Sequence, residues 1–196
     1  MECFVCTRLS QTPLCSSCQR DVDALSFRSL WHERCPLCGS PILSNAYPCT
    51  FCAQGYRAYG PLQGLLAELM HRYKDEKEKG ISRLFASLLV PLVPQTKGTV
   101  LVPIPASLAG RKQRGFDQGV LIARQMGLPV KDLLERKGKG PFQVKRKKLD
   151  ELERIIVIDD VIYSGTTMHF AISALQAVYP VPIQGLAVCL AGSGLA

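Results

Sequence analysis

Apolar residues recur at helical spacing at Leu62, Leu65, Leu66, Leu69, Met70 and Tyr73. The stripe predicts an amphipathic helix packed by one face against a larger body. Pro61 suits its first turn. The preceding AQGYRAYG, residues 53–60, reads as a short polar link, and KDEKEKG, residues 74–80, as a solvated helix end stopped by Gly80. A second helical stretch runs over 81–93 into Pro91 and Pro94, and TVLVPIP from Thr99 predicts a short buried strand halted at Pro103 and Pro105. The most telling run is IIVIDDVIYSGTT, residues 155–167. Its four β-branched residues, 155–158, suit a central parallel strand covered on both faces. Asp159 and Asp160 then emerge at the strand's carboxyl end, residues 163–167 supply turn chemistry, and 168–178 continues at helical spacing. Strand, acidic pair, small-residue loop and helix, in that order, put functional groups where open α/β sheets bind ligands.

The first 52 residues break this pattern. They hold eight of the nine cysteines as four Cys-x-x-Cys pairs: Cys3/Cys6, Cys15/Cys18, Cys35/Cys38 and Cys49/Cys52. A two-residue spacer lets both thiolates reach one tetrahedral ion, and two pairs complete four-sulfur coordination, so Zn2+ in a structural role is expected. CPLCGSPILSNAYPCTFC reads as a zinc ribbon, while CFVCTRLSQTPLCSSC has a tighter interval. Sequential sites, interleaved pairing and a single occupied site all satisfy the spacing. A disulfide framework would need an oxidising compartment, and a thioredoxin-like motif one pair in a βαβ setting. So small a segment lacks a core of its own, and metal is expected to supply its stability. Cys189, alone in IQGLAVCLA, reads as a buried strand residue. His71 and His169 read as partly buried helix residues, and His32 as a spare zinc ligand.

A net charge of +8 over 196 residues favours anionic partners without choosing among nucleic acid, phosphorylated metabolites and membrane surfaces. LFASLLV, residues 84–90, is too short to span a bilayer, and MECFVCTRLS lacks the apolar region of a signal peptide. A cytoplasmic, reducing location is the expectation. No Gly-x-x-x-x-Gly-Lys-Ser/Thr loop occurs in the sequence, so ATP-driven translocation by this chain alone is not expected.

The chemistry of residues 155–167 suits a bound phosphate. Backbone N–H groups of the loop, with the Ser164, Thr166 and Thr167 hydroxyls, can hold a 5′-phosphate at a helix N-terminus, and Gly165 permits close approach. The carboxylates of Asp159 and Asp160 can accept from the ribose 2′ and 3′ hydroxyls. They can also stabilise charge developing at the anomeric carbon, or a nearby Mg2+. An acidic pair that merely ends a strand and caps a helix is the plainer alternative. Arg111, Lys112 and Arg114 read as a mobile basic loop able to close over pyrophosphate or a nucleic-acid backbone. Phe116 either stacks on a base or anchors that loop in the core. Lys145, Arg146, Lys147 and Lys148, with Arg136, Lys137 and Lys139 upstream, form the densest basic stretch. They are a candidate for single-stranded DNA or are simply surface.

Residues 155–167 resemble the phosphoribosyl pyrophosphate (PRPP) motif of type I phosphoribosyltransferases, with Tyr163 where Thr, Ser or Ala is usual. VPIPASLAGRKQRGFDQGVLIA, residues 102–123, resembles the ComF/GntX family of phosphoribosyltransferase-like competence proteins. RGFDQ carries Asp117 in the place of an Asn, and RYK, residues 72–74, resembles a Tyr-Lys element placed after a zinc module. The basic segment before the PRPP motif, which retains Gln143, is shorter than that family's. The resemblance implies an α/β, type I phosphoribosyltransferase-like fold, with a mainly parallel sheet flanked by helices and a small N-terminal zinc-ribbon module. It divides the chain into a cysteine-rich module (1–54), a linking helix (55–80) and a phosphoribosyltransferase-like domain (81–196). PRPP with Mg2+ is the implied ligand, bound by Asp159, Asp160 and residues Tyr163, Ser164, Gly165, Thr166 and Thr167, with Arg111 and Arg114 on pyrophosphate. The implied role is handling of incoming single-stranded DNA in natural transformation, in the cytoplasm or at the cytoplasmic face of the inner membrane. Its implied partners are DNA-uptake machinery such as a helicase or membrane channel. Two alternatives stand beside it: a true phosphoribosyltransferase acting on a nucleobase, and a PRPP-sensing regulator of DNA binding.

Overall fold

The structure is a computed structural model that describes residues 1–30, 55–94, 96–136, 141–145, 149 and 151–191. Two short helices, α1 (Ser16–Ala24) and α2 (Phe27–Leu30), follow an N-terminal knuckle. Then come β1 (Tyr56–Pro61), α3 (Gly64–Lys74), α4 (Ile81–Leu89) with a 3-10 turn at Val90–Leu92, and β2 (Thr99–Pro103). Helices α5 (Leu108–Arg114) and α6 (Gln118–Gln125) lead to a small antiparallel hairpin, β3 (Leu134–Arg136) and β4 (Phe142–Val144). The described chain closes with β5 (Arg154–Ile162), α7 (Thr166–Gln176) and β6 (Ile183–Leu190).

Strands β1, β6, β5 and β2, in that order, form one parallel sheet. Its pairing register joins Ala58 to Ala187, Val157 to Gly185 and Val102 to Val157. The run at 155–158 is the central strand that its β-branched residues predict, and alternate side chains serve opposite faces. Ile156 and Ile158 join Leu101, Leu186 and Val188 against α3, α4 and α6, while Ile155 and Val157 join Val100, Val102 and Ala187 against α7. Each fully buried aliphatic side chain in these layers contributes about 1.5–3 kcal/mol over its exposed state.

Three local expectations are corrected. Residues 53–60 are not simply a polar link, because Tyr56–Pro61 is an edge strand of the sheet. Its alternate residues Tyr56 and Ala58 are buried, and Pro61 ends it instead of opening a helix. Proline is tolerated there because an edge strand's outward groups need no partner. Gly80 does not stop α3, which ends at Lys74; it precedes α4 with φ −56. The acidic pair lies inside β5 and not beyond it: Val161 and Ile162 stay paired with Cys189 and Leu190, so the strand runs through both carboxylates.

The knuckle shares the core of the sheet. Cys3, Leu14, Cys18 and Val22 are buried in the same cluster as Leu66, Leu69, Tyr73 and Phe85. Arg72 Nη1 donates to the Phe4 carbonyl at 2.6 Å, and the Tyr59 hydroxyl to Asp23 Oδ1 at 3.0 Å. Cys189 is fully buried, as its apolar neighbours predict. His71 and His169 both sit on helices, but they are exposed instead of partly buried. Among the described residues no helix is long and apolar enough to cross a membrane.

Candidate functional site

The carboxyl end of β5 is where the chemistry gathers. Asp160 is buried, and its Oδ1 accepts from Lys74 Nζ at 2.8 Å, with the two side chains only 12% and 14% exposed. Its neighbour Asp159, which β5's alternation turns to the other side, is half-buried and accepts from the Asp160 backbone N–H at 2.9 Å. Desolvation, reinforced by the negative charge of Asp160, pushes the Asp159 carboxyl up to about 8, against the opposing pull of that N–H, Lys74 and Arg136. Two carboxylates this close resist ionising together unless a cation or donor-rich ligand joins them.

Beyond the pair the chain turns tightly into α7. Gly165 has φ +78, and a Cβ at that position would overlap the Tyr56 ring and hydroxyl. Only glycine meets both demands. Ser164 Oγ donates to Thr166 Oγ1 at 3.0 Å, while Tyr163 stands 65% exposed. A pocket of about 70 Å3 lies inside this loop, lined by residues 161–165, Asp159, Thr167 and Met168. It shares Asp159, Val161 and Thr167 with a cleft of about 180 Å3 that reaches Lys74, Arg114, Gln118 and Arg136. That cleft in turn shares Asp117 and Arg136 with a groove of about 790 Å3 between α5, α6 and the hairpin.

Asp117 organises the junction. Its Oδ1 accepts from Val120 N at 3.3 Å as the N-cap of α6, and Oδ2 from Ala106 N at 2.9 Å and Arg111 Nη2 at 3.4 Å. The residues after β2 are thereby held against the helix start. Arg136 lies over the Phe142 ring at 4.8 Å and its Nε donates to the Pro105 carbonyl at 3.4 Å, so the hairpin closes the far wall.

The structure thus brings Asp159, Asp160, Arg114 and Thr167 to one cleft, with Tyr163, Ser164 and Gly165 in the adjoining pocket. Arg111 lines the larger groove instead, on a short helix where a mobile loop is expected. Helix formation there follows from the Ser107 cap, whose Oγ accepts from Gly110 N, and from Gly115 in the left-handed region at the end. Phe116 is the anchor: it packs edge-on against Tyr73 at 5.4 Å. Lys145 borders the groove but is paired with Asp132 at 2.7 Å, and 146–148 lie outside the described residues. Sequence reasoning treats Lys74 as part of a solvated helix end; its only signal is the RYK triplet. Gln118 is signalled by the RGFDQ segment, whereas the Arg136 stack carries no local signal.

The first four cysteines also converge. The sulfurs of Cys3, Cys6, Cys15 and Cys18 lie within 4.8 Å of one another, with Cys6 and Cys15 at 3.6 Å. Two thiolates about 2.3 Å from a tetrahedral zinc stand about 3.8 Å apart, so the donor set fits that ion after a small contraction. Burial opposes ionisation of Cys3, but backbone hydrogen bonds from Cys6, Cys15 and Val5 outweigh it and bring the thiol down to about 6. Burial and the neighbouring sulfurs push Cys18 well up. This quartet is the sequential pairing. His32, Cys35, Cys38, Cys49 and Cys52 lie outside the described residues.

A parallel sheet flanked by helices, with an acidic pair and a glycine-hinged loop at its carboxyl edge and a four-cysteine cluster at its N-terminal side, defines the class of molecule. No family model matches the chain. It is 28% identical over 193 residues to competence protein ComFC of Bacillus subtilis (strain 168), covering 83% of this chain and 77% of that protein. It is 26% identical over 177 residues to competence protein ComFC of Streptococcus pneumoniae (strain ATCC BAA-255 / R6), covering 80% and 78%. The likeness is distant and runs over most of the chain.

Proposed function

We propose that the chain is a competence-type protein that handles single-stranded DNA, and that its type I phosphoribosyltransferase-like domain binds PRPP with Mg2+. The observation that carries the reading is the continuity of the loop pocket with the acidic cleft through Asp159, Val161 and Thr167. A 5-phosphorylated ribose needs a donor-rich cradle beside acceptors for its hydroxyls, and these stand in that order. Residues 163–167 hold the phosphate by backbone N–H groups and hydroxyls, and Gly165 lets the loop turn tightly against Tyr56. Asp159 and Asp160 receive the ribose hydroxyls, and the Lys74 contact holds the Asp160 carboxyl group in place for that task. Mg2+, when bound with the ligand, supplies charge neutralisation beside Asp159. The cysteine cluster takes zinc in a closed, structural site. The uptake partners, a helicase or membrane channel, belong to the same reading through the family resemblance of residues 102–123.

Calorimetric titration of PRPP with Mg2+ tests it. Binding that disappears in the Asp159→Asn/Asp160→Asn protein supports the site, and equal affinity in that variant refutes it. Single-stranded DNA binding with a steep salt dependence is the companion expectation; a flat dependence would move DNA contact off the basic surface.

The groove of about 790 Å3 beside the sugar cleft favours a second reading, a true phosphoribosyltransferase. The acceptor would enter there and displace pyrophosphate at the anomeric carbon. Pyrophosphate release dependent on one acceptor separates the two readings.

A further inference from the structure

We propose that Arg72 is a positioning residue that ties the cysteine knuckle to the acidic pair, so that metal held by the knuckle and ligand held by the carboxylates strengthen each other's binding. The ligand half of the inference rests on the PRPP reading above. The last three residues of α3 reach three separate parts of the molecule. Arg72 Nη1 donates to the Phe4 carbonyl at 2.6 Å, the Tyr73 hydroxyl to the Gln118 carbonyl at 2.9 Å, and Lys74 Nζ to Asp160 Oδ1 at 2.8 Å. Successive helical side chains project about 100° apart, so a single turn of backbone carries all three contacts. Tyr73 is fully buried, and the Arg72 and Lys74 side chains are only 22% and 14% exposed, so none is a loose surface arm.

The knuckle end of the tie lies among the sulfurs. Phe4 stands between Cys3 and Cys6, and its N–H donates at 3.0 Å to the carbonyl of Pro13, two residues before Cys15. The Phe4 ring also packs on Gly80, where a Cβ would stand 3.0 Å from it. Arg72 itself closes the turn between α3 and Gly80. Its Nε and Nη2 donate to the Glu78 carboxylate at 3.0 and 2.7 Å, and its carbonyl accepts from the Glu78 N–H at 3.1 Å. A guanidinium can fork onto a carboxylate and still reach a carbonyl, a geometry that a lysine ammonium does not reproduce. Four thiolates drawn onto one ion fix the backbone from Cys3 to Cys6, and with it the Phe4 carbonyl, Arg72 and the helix end that carries Lys74. An arginine that only braced the turn, the plainer alternative, would need Glu78 and not the knuckle carbonyl. Linkage makes the effect reciprocal: what the knuckle does for the carboxylates, the carboxylates do for the knuckle.

Zinc release from the loaded protein to a chromogenic chelator reads the tie without any sugar ligand. Lys74→Met, which frees the end of α3 from Asp160, should speed release about fivefold in the wild-type background and less than about twofold beside Arg72→Met. Arg72→Lys, which keeps the charge but not the fork, should give an intermediate coupling and serves where methionine disturbs α3. Glu78→Gln leaves the Phe4 contact in place and should retain most of the coupling. Ile172→Ala, in the layer under α7, is the control for general loosening and should leave release near the wild-type rate. Equal acceleration by Lys74→Met in both backgrounds overturns the assignment. So does no acceleration in either, or the same acceleration in a folded Ile172→Ala protein. PRPP with Mg2+ should then slow release from the wild type about fivefold and leave the Arg72→Met rate unmoved. PRPP that binds without slowing release overturns the coupling. PRPP that does not bind overturns the sugar reading alone, since the ligand-free comparison has already decided the tie.

Discussion

Lys74 and Asp160 form a 2.8 Å ion pair in which both side chains are largely withdrawn from water, and the lysine comes from the last turn of α3 while the aspartate comes from near the carboxyl end of β5. The pair fixes the helix end against the sheet. It also places a positive charge beside two carboxylates that otherwise repel each other. Lys74→Met leaves Asp160 buried without its partner and should cost about 2–4 kcal/mol of stability. Adding Asp160→Asn to that variant should restore part of the loss, because no uncompensated charge remains. Urea denaturation of the two single variants and the double variant reads the coupling; strict additivity would mean the contact contributes nothing.

Asp159 sits under opposite pressure. Its carboxyl is raised from 3.8 to about 8, so the folded state favours the acid. A raised value stabilises the fold in full below about 4, and the contribution is lost as pH rises through about 8. Asp159→Asn can still accept from the Asp160 N–H but carries no charge at any pH. Thermal scans should show Asp159→Asn melting at least about 3 °C above the wild type at pH 8 and level with it near pH 4. Its PRPP affinity should fall at the same time. A variant that melts lower at pH 8 would mean that the acid is not forced on the site.

Gly165→Ala combines a left-handed backbone with a methyl group aimed at Tyr56. The strain should cost about 2 kcal/mol or more, with ribose 5-phosphate binding lost before stability becomes limiting. Gly127→Ala is the control, since it shares the positive φ, at +74, but has open space around it. Equal losses in the two variants would remove any special role for the Tyr56 contact.

For the cysteine cluster, Cys18→Ser should release one zinc equivalent by elemental analysis and lower the melting temperature of the whole protein. The second effect follows because Cys3 and Cys18 are buried in the same cluster as Leu69 and Phe85. Since zinc binds thiolates and not thiols, metal binding must expel protons, and affinity should fall about tenfold or more per pH unit below neutrality. A melting curve unmoved by chelator would make the metal dispensable to the core.

The layers of the fold are written openly in the sequence. Four β-branched residues at 155–158 and the apolar run around Cys189 declare central strands, because a strand buried on both faces has no polar alternation to keep. The turn at 163–165 is equally legible, since serine and glycine there favour a tight bend before the helix. Edge strand β1 is not, because a half-covered strand of six residues with Arg57, Gly60 and Pro61 resembles a linker. Lys74 stayed hidden for a different reason. A lysine in a run of charges looks solvated until tertiary structure brings an aspartate from a distant strand to it. Gln118 is half a case of the same kind: RGFDQ marks it, but nothing local shows that it is buried with its carbonyl bonded to Tyr73.

Strand order also governs when this molecule can assemble. β1 lies at the sheet edge and pairs only with β6, the last strand described, so residues 56–61 wait for 183–190 to be synthesised. The four sulfurs at residues 3–18, by contrast, need only their own short segment and an ion. On the ribosome the metal knuckle can close early, while the sheet cannot be completed until that final strand slides between β1 and β5. An insertion step of this kind is slow by its long sequence separation. The early-formed knuckle keeps α1 compact through the interval, so the strand edge exposed in the nascent chain is the one at greatest hazard of pairing with a neighbour.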